Sequence, residues 1–135
     1  MFDTKFAIVI RNDLETWQKL NVAAFLAGGL VGARPKLLGE AYRDAAGHVY
    51  TALPVQPVIV LAADDRLIRT IHRRALERAV TTSVYVEEMF ATGHDTANRA
   101  AFAAFGPDDA KVVGIALHAQ KKLVEKITRG AKLHA

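Results

Sequence analysis

The fold is decided at the start of the chain by the stretch KFAIVIRND, residues 5–13. Residues 5–10 form an almost uninterrupted apolar run, which is typical of a central strand that is buried on both faces. The polar turn residues Arg11, Asn12 and Asp13 follow and predict the end of that strand. We therefore expect the other elements to pack around this strand.

Strand and helix patterns alternate along the rest of the chain. Apolar runs predict further core strands at residues 57–62, 83–86 and 111–117. Helical spacing predicts helices at 17–30, 65–78, 95–105 and 118–128, the second of them capped by Asp64 or Asp65. The turn-forming residues DAAG at 44–47 predict a β-hairpin around residues 38–51. Alternating strands and helices predict an α/β fold with helices on both faces of a sheet.

Apolar spacing also predicts which helix faces are buried. The first helix is expected to turn one face to the core, formed by Leu20, Ala23, Ala24, Ala27 and Leu30. The second helix is expected to bury Leu67, Ile68, Ile71, Ala75 and Leu76.

The composition limits the class of protein. The chain has 135 residues, a usual length for one domain, so we expect residues 1–135 to form a single domain. The absence of cysteine excludes a disulfide framework, a zinc–thiolate site and a cysteine nucleophile, and it fits a cytoplasmic protein. No signal-peptide pattern and no long apolar stretch is seen, so we expect no membrane partner. The net charge of +4 permits an anionic partner.

Four short segments, in order along nearly the whole chain, carry a family resemblance. They are IVIRNDL at 8–14, KL at 19–20, VVGI at 112–115, and VEKIT at 124–128 with KL at 132–133. Together they resemble the type 2 peptidyl-tRNA hydrolases. The segments GEAY at 39–42, DAAG at 44–47 and FATGHD at 90–95 are similar to a small, functionally unassigned bacterial family related to those hydrolases. The resemblance implies a three-layer α/β/α domain with a mixed, mainly parallel four-stranded sheet.

The first helix departs from the hydrolase pattern. When the family's motif is carried over from Lys19, its glutamine and histidine positions fall at Ala23 and Leu26, and both polar groups are missing. The family's acidic segment falls near residues 86–90, where Glu88 could keep the carboxylate. The resemblance therefore implies a hydrolase-type fold that lacks part of the family's catalytic set.

Polar residues near the predicted strand ends form the candidate site. The catalytic candidates are Lys19, His94 and Glu88. Lys19 could bind a phosphate or stabilise negative charge, and His94 could act as a general base, because imidazole titrates near neutral pH. The ligand-binding candidates lie at the strand ends or in the polar loop around residues 92–99, and are Arg11, Asp13, Asn21, Thr92, Asp95 and Arg99.

Several of these candidates have a purely structural alternative. Lys19 could be a solvated surface lysine, and Asp95 could be a helix N-cap that accepts from the amide of Ala97 or Asn98. Arg11 and Asp13 could simply pair at the surface. Glu87 and Glu88 would point to opposite faces if they lay on a strand.

The sequence contains no motif for a metal site or a nucleotide cofactor. The five histidines show no helical ligand spacing, so no metal site is predicted. No glycine-rich phosphate loop is present, so no cofactor is predicted. The basic residues along 66–78 could contact a tRNA-like ligand, although a charged outer face of an amphipathic helix is the commoner cause of such a pattern and is favoured here.

Three functional hypotheses remain open. The leading one is a hydrolase-like domain that binds a small or nucleotide-like anion and has lost the family reaction. The second is a working carboxylic-ester hydrolase with a rebuilt centre, in which His94 is the base and Lys19 stabilises charge. The third is a non-catalytic domain that forms a homo-oligomer, expected to be a dimer, through Leu26, Leu30 and Leu37.

Overall fold

The computed structural model describes residues 2–135, and within them it contains seven strands and four α-helices. The strands are β1 (Thr4–Arg11), β2 (Tyr42–Arg43), β3 (Val49–Tyr50), β4 (Val58–Ala63), β5 (Thr82–Val86), β6 (Val112–Gln120) and β7 (Lys132–Leu133). The helices are α1 (Thr16–Ala33), α2 (Asp65–Glu77), α3 (Asp95–Ala103) and α4 (Lys121–Ile127). Two short 3-10 helices cover Pro35–Leu37 and Glu87–Ala91.

Strand β1 is the middle strand of a five-stranded sheet with the order β5-β6-β1-β4-β7. It pairs in parallel with β4, whereas the β1–β6, β5–β6 and β4–β7 pairs are antiparallel. The expectation of a mainly parallel sheet of four strands is therefore wrong. An apolar run predicts a strand but not its direction, and the two-residue strand β7 is too short to give a pattern.

Side chains that alternate along β1 enter two separate cores. Phe6, Ile8 and Ile10 belong to one buried cluster, to which α1 contributes Val22, Leu26 and Leu30. Ala7 and Val9 belong to the other cluster, to which α2 and α4 contribute apolar side chains. This division follows from the two-residue period of a strand. The central strand therefore explains why helices pack on both faces of the sheet.

Helix α1 buries only part of the face that its spacing predicted, since Ala23 and Ala27 pack half-buried against the core but Ala24 is exposed. Val22, Leu26 and Leu30 are buried, whereas Leu20 is 67% exposed. The prediction is wrong for Leu20 and Ala24 because α1 is apolar around most of its circumference, so periodicity does not single out one face. Leu76 of α2 is also exposed rather than buried.

Across residues 2–135, no helix has both the length and the apolar character that crossing a bilayer requires.

The hairpin predicted around residues 38–51 is confirmed. Strands β2 and β3 pair antiparallel, with Tyr42 opposite Tyr50, in a two-stranded sheet separate from the main one. The cap of α2 is also as expected, because the Leu67 N–H donates to Asp64 Oδ1 at 2.8 Å. The last helix was expected from residue 118, but β6 continues to Gln120 and α4 follows it.

A glycine in β6 sets the distance between the sheet and α1, which leads to a stability prediction. A Cβ at Gly114 would overlap Val22 Cγ1 and lie 2.9 Å from Leu26 Cδ1. We expect Gly114→Ala to lower the free energy of unfolding by about 1–3 kcal/mol, the usual cost of overpacking a core. Urea denaturation measures this change.

The control is Gly106→Ala, since a Cβ at Gly106 meets no atom of the described residues within 4 Å. Its unfolding midpoint should stay close to that of the unchanged protein. An unchanged midpoint for Gly114→Ala would contradict this account of the packing.

Candidate functional site

A cleft of about 380 Å³ lies between α1, the end of β5, the 3-10 helix Glu87–Ala91 and the start of α3. Its lining combines four aromatic side chains with uncharged polar groups and one carboxylate. The lining residues are Trp17, Asn21, Phe25, Tyr85, Met89, Phe90, Thr92, Gly93, His94, Asp95 and Asn98. It therefore gathers Asn21, Thr92, His94 and Asp95 from the predicted set.

The aromatic side chains of the cleft contact one another in a chain. Trp17 and Phe90 meet edge to face with ring centroids 5.8 Å apart, and the Phe90 and Tyr85 centroids are 5.2 Å apart. Phe25 meets Tyr85 edge to face at 5.6 Å. Such pairs stabilise each other beyond simple burial. They form an apolar wall that exposes ring faces and edges to a ligand.

Asn21 and Tyr85 form the polar pair inside this wall. Asn21 Nδ2 donates to the Tyr85 hydroxyl oxygen at 3.2 Å. Tyr85 is only 3% exposed, and burial raises the pKa of its phenol, while the hydrogen bond from Asn21 lowers it in part. The phenol stays neutral at physiological pH, and its hydroxyl proton is free to be donated to a ligand.

His94, and not Asp95, is the N-cap of α3. The Ala97 N–H donates to His94 Nδ1 at 3.2 Å. The expected Asp95 cap is wrong because α3 begins one residue earlier than that role requires, so Asp95 is its first helical residue and pairs with Arg99 at 2.7 Å. The capping bond requires an unprotonated Nδ1, so the remaining proton of the neutral ring lies on Nε2. His94 therefore offers a donor to the cleft.

Thr92 and Asn98 close the polar side of the cleft. Thr92 Oγ1 lies 2.9 Å from the Met89 carbonyl oxygen and contacts the side-chain amide of Asn98. Both residues are half-buried. Their mutual bond holds the loop against α3 and fixes the direction of the Asn98 amide.

The remaining predicted residues lie outside the cleft lining. Lys19 and Glu88 do not line it, so the predicted grouping of both with His94 is not formed. Glu88 lies in a 3-10 helix rather than a strand, and its Oε1 is buried without a hydrogen-bond partner among the described residues. Arg99 is exposed and engaged with Asp95.

Arg11 is a structural tie at the end of β1. Its Nε donates to Asp13 Oδ1 at 2.6 Å. Its other nitrogens lie 3.7 Å from Asp65 Oδ1 and 3.6 Å from Glu87 Oε1. One largely buried guanidinium therefore joins the ends of two strands to the start of α2, which accounts for Arg11 and Asp13 without a ligand.

The basic helix α2 is partly occupied by internal contacts. Arg69 pairs with Asp65 at 3.3 Å, and Arg74 donates to the carbonyl oxygens of Ile127 and Arg129. His72 is buried, and burial lowers its pKa. These contacts reduce the number of charges left for a nucleic acid.

A second, larger cleft of about 500 Å³ lies at the other end of α1, beside Arg34, Lys36 and His118. Its floor is a network in which Thr4 Oγ1 donates to Gln56 Oε1 at 3.0 Å. Burial and the neighbouring Arg34 lower the pKa of His118. The carbonyl end of α1 carries partial negative charge here, but Arg34 and Lys36 in the same lining carry full positive charges. None of the predicted site residues lines this cleft.

In the described part of the chain, no three His, Asp or Glu side chains gather in an arrangement that could hold a metal ion. The aromatic cleft is the candidate site because it gathers Asn21, Thr92, His94 and Asp95, whereas the second cleft gathers none of the predicted residues.

The sequence interpretation missed the aromatic lining. Trp17, Asn21 and Phe25 are spaced four residues apart on α1 and so share one helix face, a signal that was available. Tyr85 and Phe90 come from a distant part of the chain, and no local pattern pairs them with α1.

Comparisons with known proteins give a family but no activity. A family model described as a protein of unknown function, DUF2000, matches residues 4–135. A solved structure of a protein of unknown function from Agrobacterium tumefaciens strain C58 is 60% identical, with full coverage of both chains and a TM-score of 0.98. No curated protein matches the chain.

The Asn21–Tyr85 bond predicts the ionisation of one of the three tyrosines. Burial raises the Tyr85 pKa, so the neutral phenol contributes fully to stability at every pH below the usual tyrosine pKa of about 10. This contribution is lost as the pH rises through the higher pKa of the folded state. Asn21→Ala removes a donor that stabilises the phenolate, so we expect the Tyr85 pKa to rise further. Ultraviolet titration of tyrosinate measures the pKa, and urea denaturation at several pH values measures the stability. Asn98→Ala, another amide of the cleft, should leave the titration unchanged, and equal curves for Asn21→Ala and the unchanged protein would disprove the bond.

The His94 cap predicts a stability change confined to α3. We expect His94→Ala to destabilise the helix by about 1 kcal/mol and His94→Asn to keep most of the cap, because asparagine is a good N-cap residue. Hydrogen exchange at the Ala97 amide is the direct measurement. Thr96→Ala is the neighbouring control and should change little. Equal loss of protection in His94→Asn and His94→Ala would rule out capping as the role of this side chain.

Proposed function

This chain belongs to the DUF2000 family of proteins of unknown function, and from its own cleft we propose that it is a peptidyl-tRNA-hydrolase-like domain that binds a small, planar, nucleotide-like anion without carrying out the hydrolase reaction. The observation that supports this proposal most is the aromatic wall of the cleft facing the start of α3.

The planar part of the ligand is matched by the aromatic wall. Trp17 and Phe25 are 60% and 54% exposed, although aromatic side chains are usually well covered. Stacking on aromatic rings stabilises a base regardless of its identity. Asn21 and Tyr85 add a donor and an acceptor at the wall, which suit the edge of a heterocycle.

The anionic part is matched by the start of α3. The amides of Asp95 and Thr96 have no partner within the helix, whereas the Ala97 amide is already capped by His94 Nδ1, and the Nε2–H of His94 adds a further donor. Asp95 is the one carboxylate in this lining, and its pairing with Arg99 lowers its repulsion of an anion. A cleft of about 380 Å³ lies in the lower part of the range for small-molecule sites.

The hydrolase alternative has less support from the geometry. A general base needs a free nitrogen lone pair, and the Nδ1 lone pair of His94 accepts from Ala97. Lys19, the proposed charge stabiliser, does not line the cleft. An oligomer built on Leu26, Leu30 and Leu37 has no support from the geometry, because all three side chains are buried in the core.

The single tryptophan of the chain makes the binding test direct, since Trp17 lines the cleft. Adenosine monophosphate should change the Trp17 fluorescence in a saturable way, and adenosine and inorganic phosphate should bind more weakly than the intact nucleotide. Phe25→Ala should weaken binding about 5- to 150-fold, which corresponds to the loss of about 1–3 kcal/mol of stacking. Phe2→Ala, an exposed phenylalanine outside the cleft, is the control and should bind as the unchanged protein does.

Two results would overturn the proposal. One is a Trp17 fluorescence and an unfolding temperature that do not respond to any nucleotide. The other is turnover of peptidyl-tRNA that is lost in both His94→Ala and Lys19→Ala, which would establish the hydrolase instead.

A further inference from the structure

The outer face of α1 lacks the charged side chains that a surface helix normally carries. Among its eighteen residues only Lys19 is charged. Trp17, Leu20 and Phe25 are each more than half exposed on that face. A helix that is apolar all round is normally buried on all sides. The outer face of α1 therefore has the composition of a covered surface.

Two glycines on the same face have no explanation within one chain. A Cβ at Gly28 or Gly32 would meet no atom of the described residues within 4 Å, whereas Gly29 faces Ser83. A glycine inside a helix lowers the stability of that helix relative to alanine. Ala24, Gly28 and Gly32 follow at intervals of four and form one row of small residues along the helix. Such a row allows another helix backbone to approach closely.

A second apolar surface projects from the chain, the arm formed by residues 38–55. Its large apolar side chains are each more than half exposed at five positions, namely Tyr42, Val49, Tyr50, Leu53 and Val55. The turn of the arm is held by Asp44, which accepts from the amides of Ala46 and His48 and from the Tyr50 hydroxyl. The arm is thus a preformed apolar projection.

We propose that a second copy of this chain covers both surfaces. The two α1 helices pair antiparallel about a two-fold axis, with their rows of small residues in contact. The arm follows the carboxyl end of α1 through the 3-10 helix Pro35–Leu37. In an antiparallel pair, this connection brings each arm beside the amino-terminal half of the other copy's α1, where Trp17, Leu20 and Phe25 are exposed.

The exposed area agrees with a stable dimer. Eight large apolar side chains on the arm and α1 are more than half exposed. If each contributes on the order of 100 Å², one chain offers roughly 800 Å², which is the share of one partner in a standard interface. A two-fold arrangement buries arm and helix face on both copies at once and leaves no free surface for further growth.

The dimer would also change the surroundings of the aromatic cleft. This consequence rests on the proposed function, whereas the proposal of a dimer does not. Trp17 and Phe25 belong both to the outer face of α1 and to the lining of the cleft. The arm of the second copy would form an additional wall beside these rings. Small-molecule sites bury most of their ligand, which this open cleft does not do alone.

The first test is the mass of the full-length protein in solution by analytical ultracentrifugation. We expect a dimer whose dissociation constant rises at least tenfold in Leu20→Glu and in Gly28→Glu. Leu76→Glu makes the same change at an exposed leucine of α2, outside both surfaces, and should stay dimeric. Circular dichroism confirms that each variant is folded. A monomer at every concentration, or equal dissociation constants for Leu20→Glu and Leu76→Glu, would overturn the proposal.

The second test uses the natural absence of cysteine. Two separately purified variants, Leu20→Cys and Val49→Cys, are mixed and oxidised. We expect a disulfide-linked mixed dimer, and Leu76→Cys should give none with Val49→Cys. A dimer that forms no Leu20–Val49 cross-link would refute the placement of the arm. If the protein does not form this dimer, the Trp17 fluorescence should still respond to nucleotide. A wrong dimer proposal can therefore be told apart from a wrong proposed function.

Discussion

Burial of β1 on both faces is the constraint on which the other elements depend. A strand in the middle of a sheet alternates its side chains between two cores, so both cores need a helical cover. Phe6, Ile8 and Ile10 are covered by α1, and Ala7 and Val9 by α2 and α4. The fit on the α1 side depends on Gly114, where any larger side chain would collide with Val22 and Leu26.

The close fit of α1 on the sheet also explains where polar chemistry is possible. Leu26 of α1 is buried against the sheet. A polar side chain there would lose its hydration without gaining a partner. The neighbouring face of α1 is open to solvent instead and carries Trp17, Asn21 and Phe25. A ligand site on this helix therefore has to use aromatic and amide groups.

The parts of the fold that could be predicted from sequence are those with local causes. The run at residues 5–10 sufficed for β1, the Asp64 side chain for the start of α2, and the turn at 44–47 for the hairpin. The direction of the strands could not be predicted, because it depends on pairing between distant segments. The buried face of α1 could be predicted only in part, because the helix is apolar around most of its circumference. In the site, Asn21, Thr92, His94 and Asp95 came from local polarity, whereas Tyr85 and Phe90 reach the cleft only through tertiary packing.

One surface of α1 connects the two proposals. An apolar face without charges stabilises a single chain very little, since its side chains gain nothing from contact with water. Glycines in the same face lower the stability of the helix further. Both features become favourable when another backbone lies close and removes Leu20 and the outer parts of Trp17 and Phe25 from solvent. The same contact would narrow the cleft beside Trp17 and Phe25, so assembly and ligand binding would each stabilise the other through shared side chains.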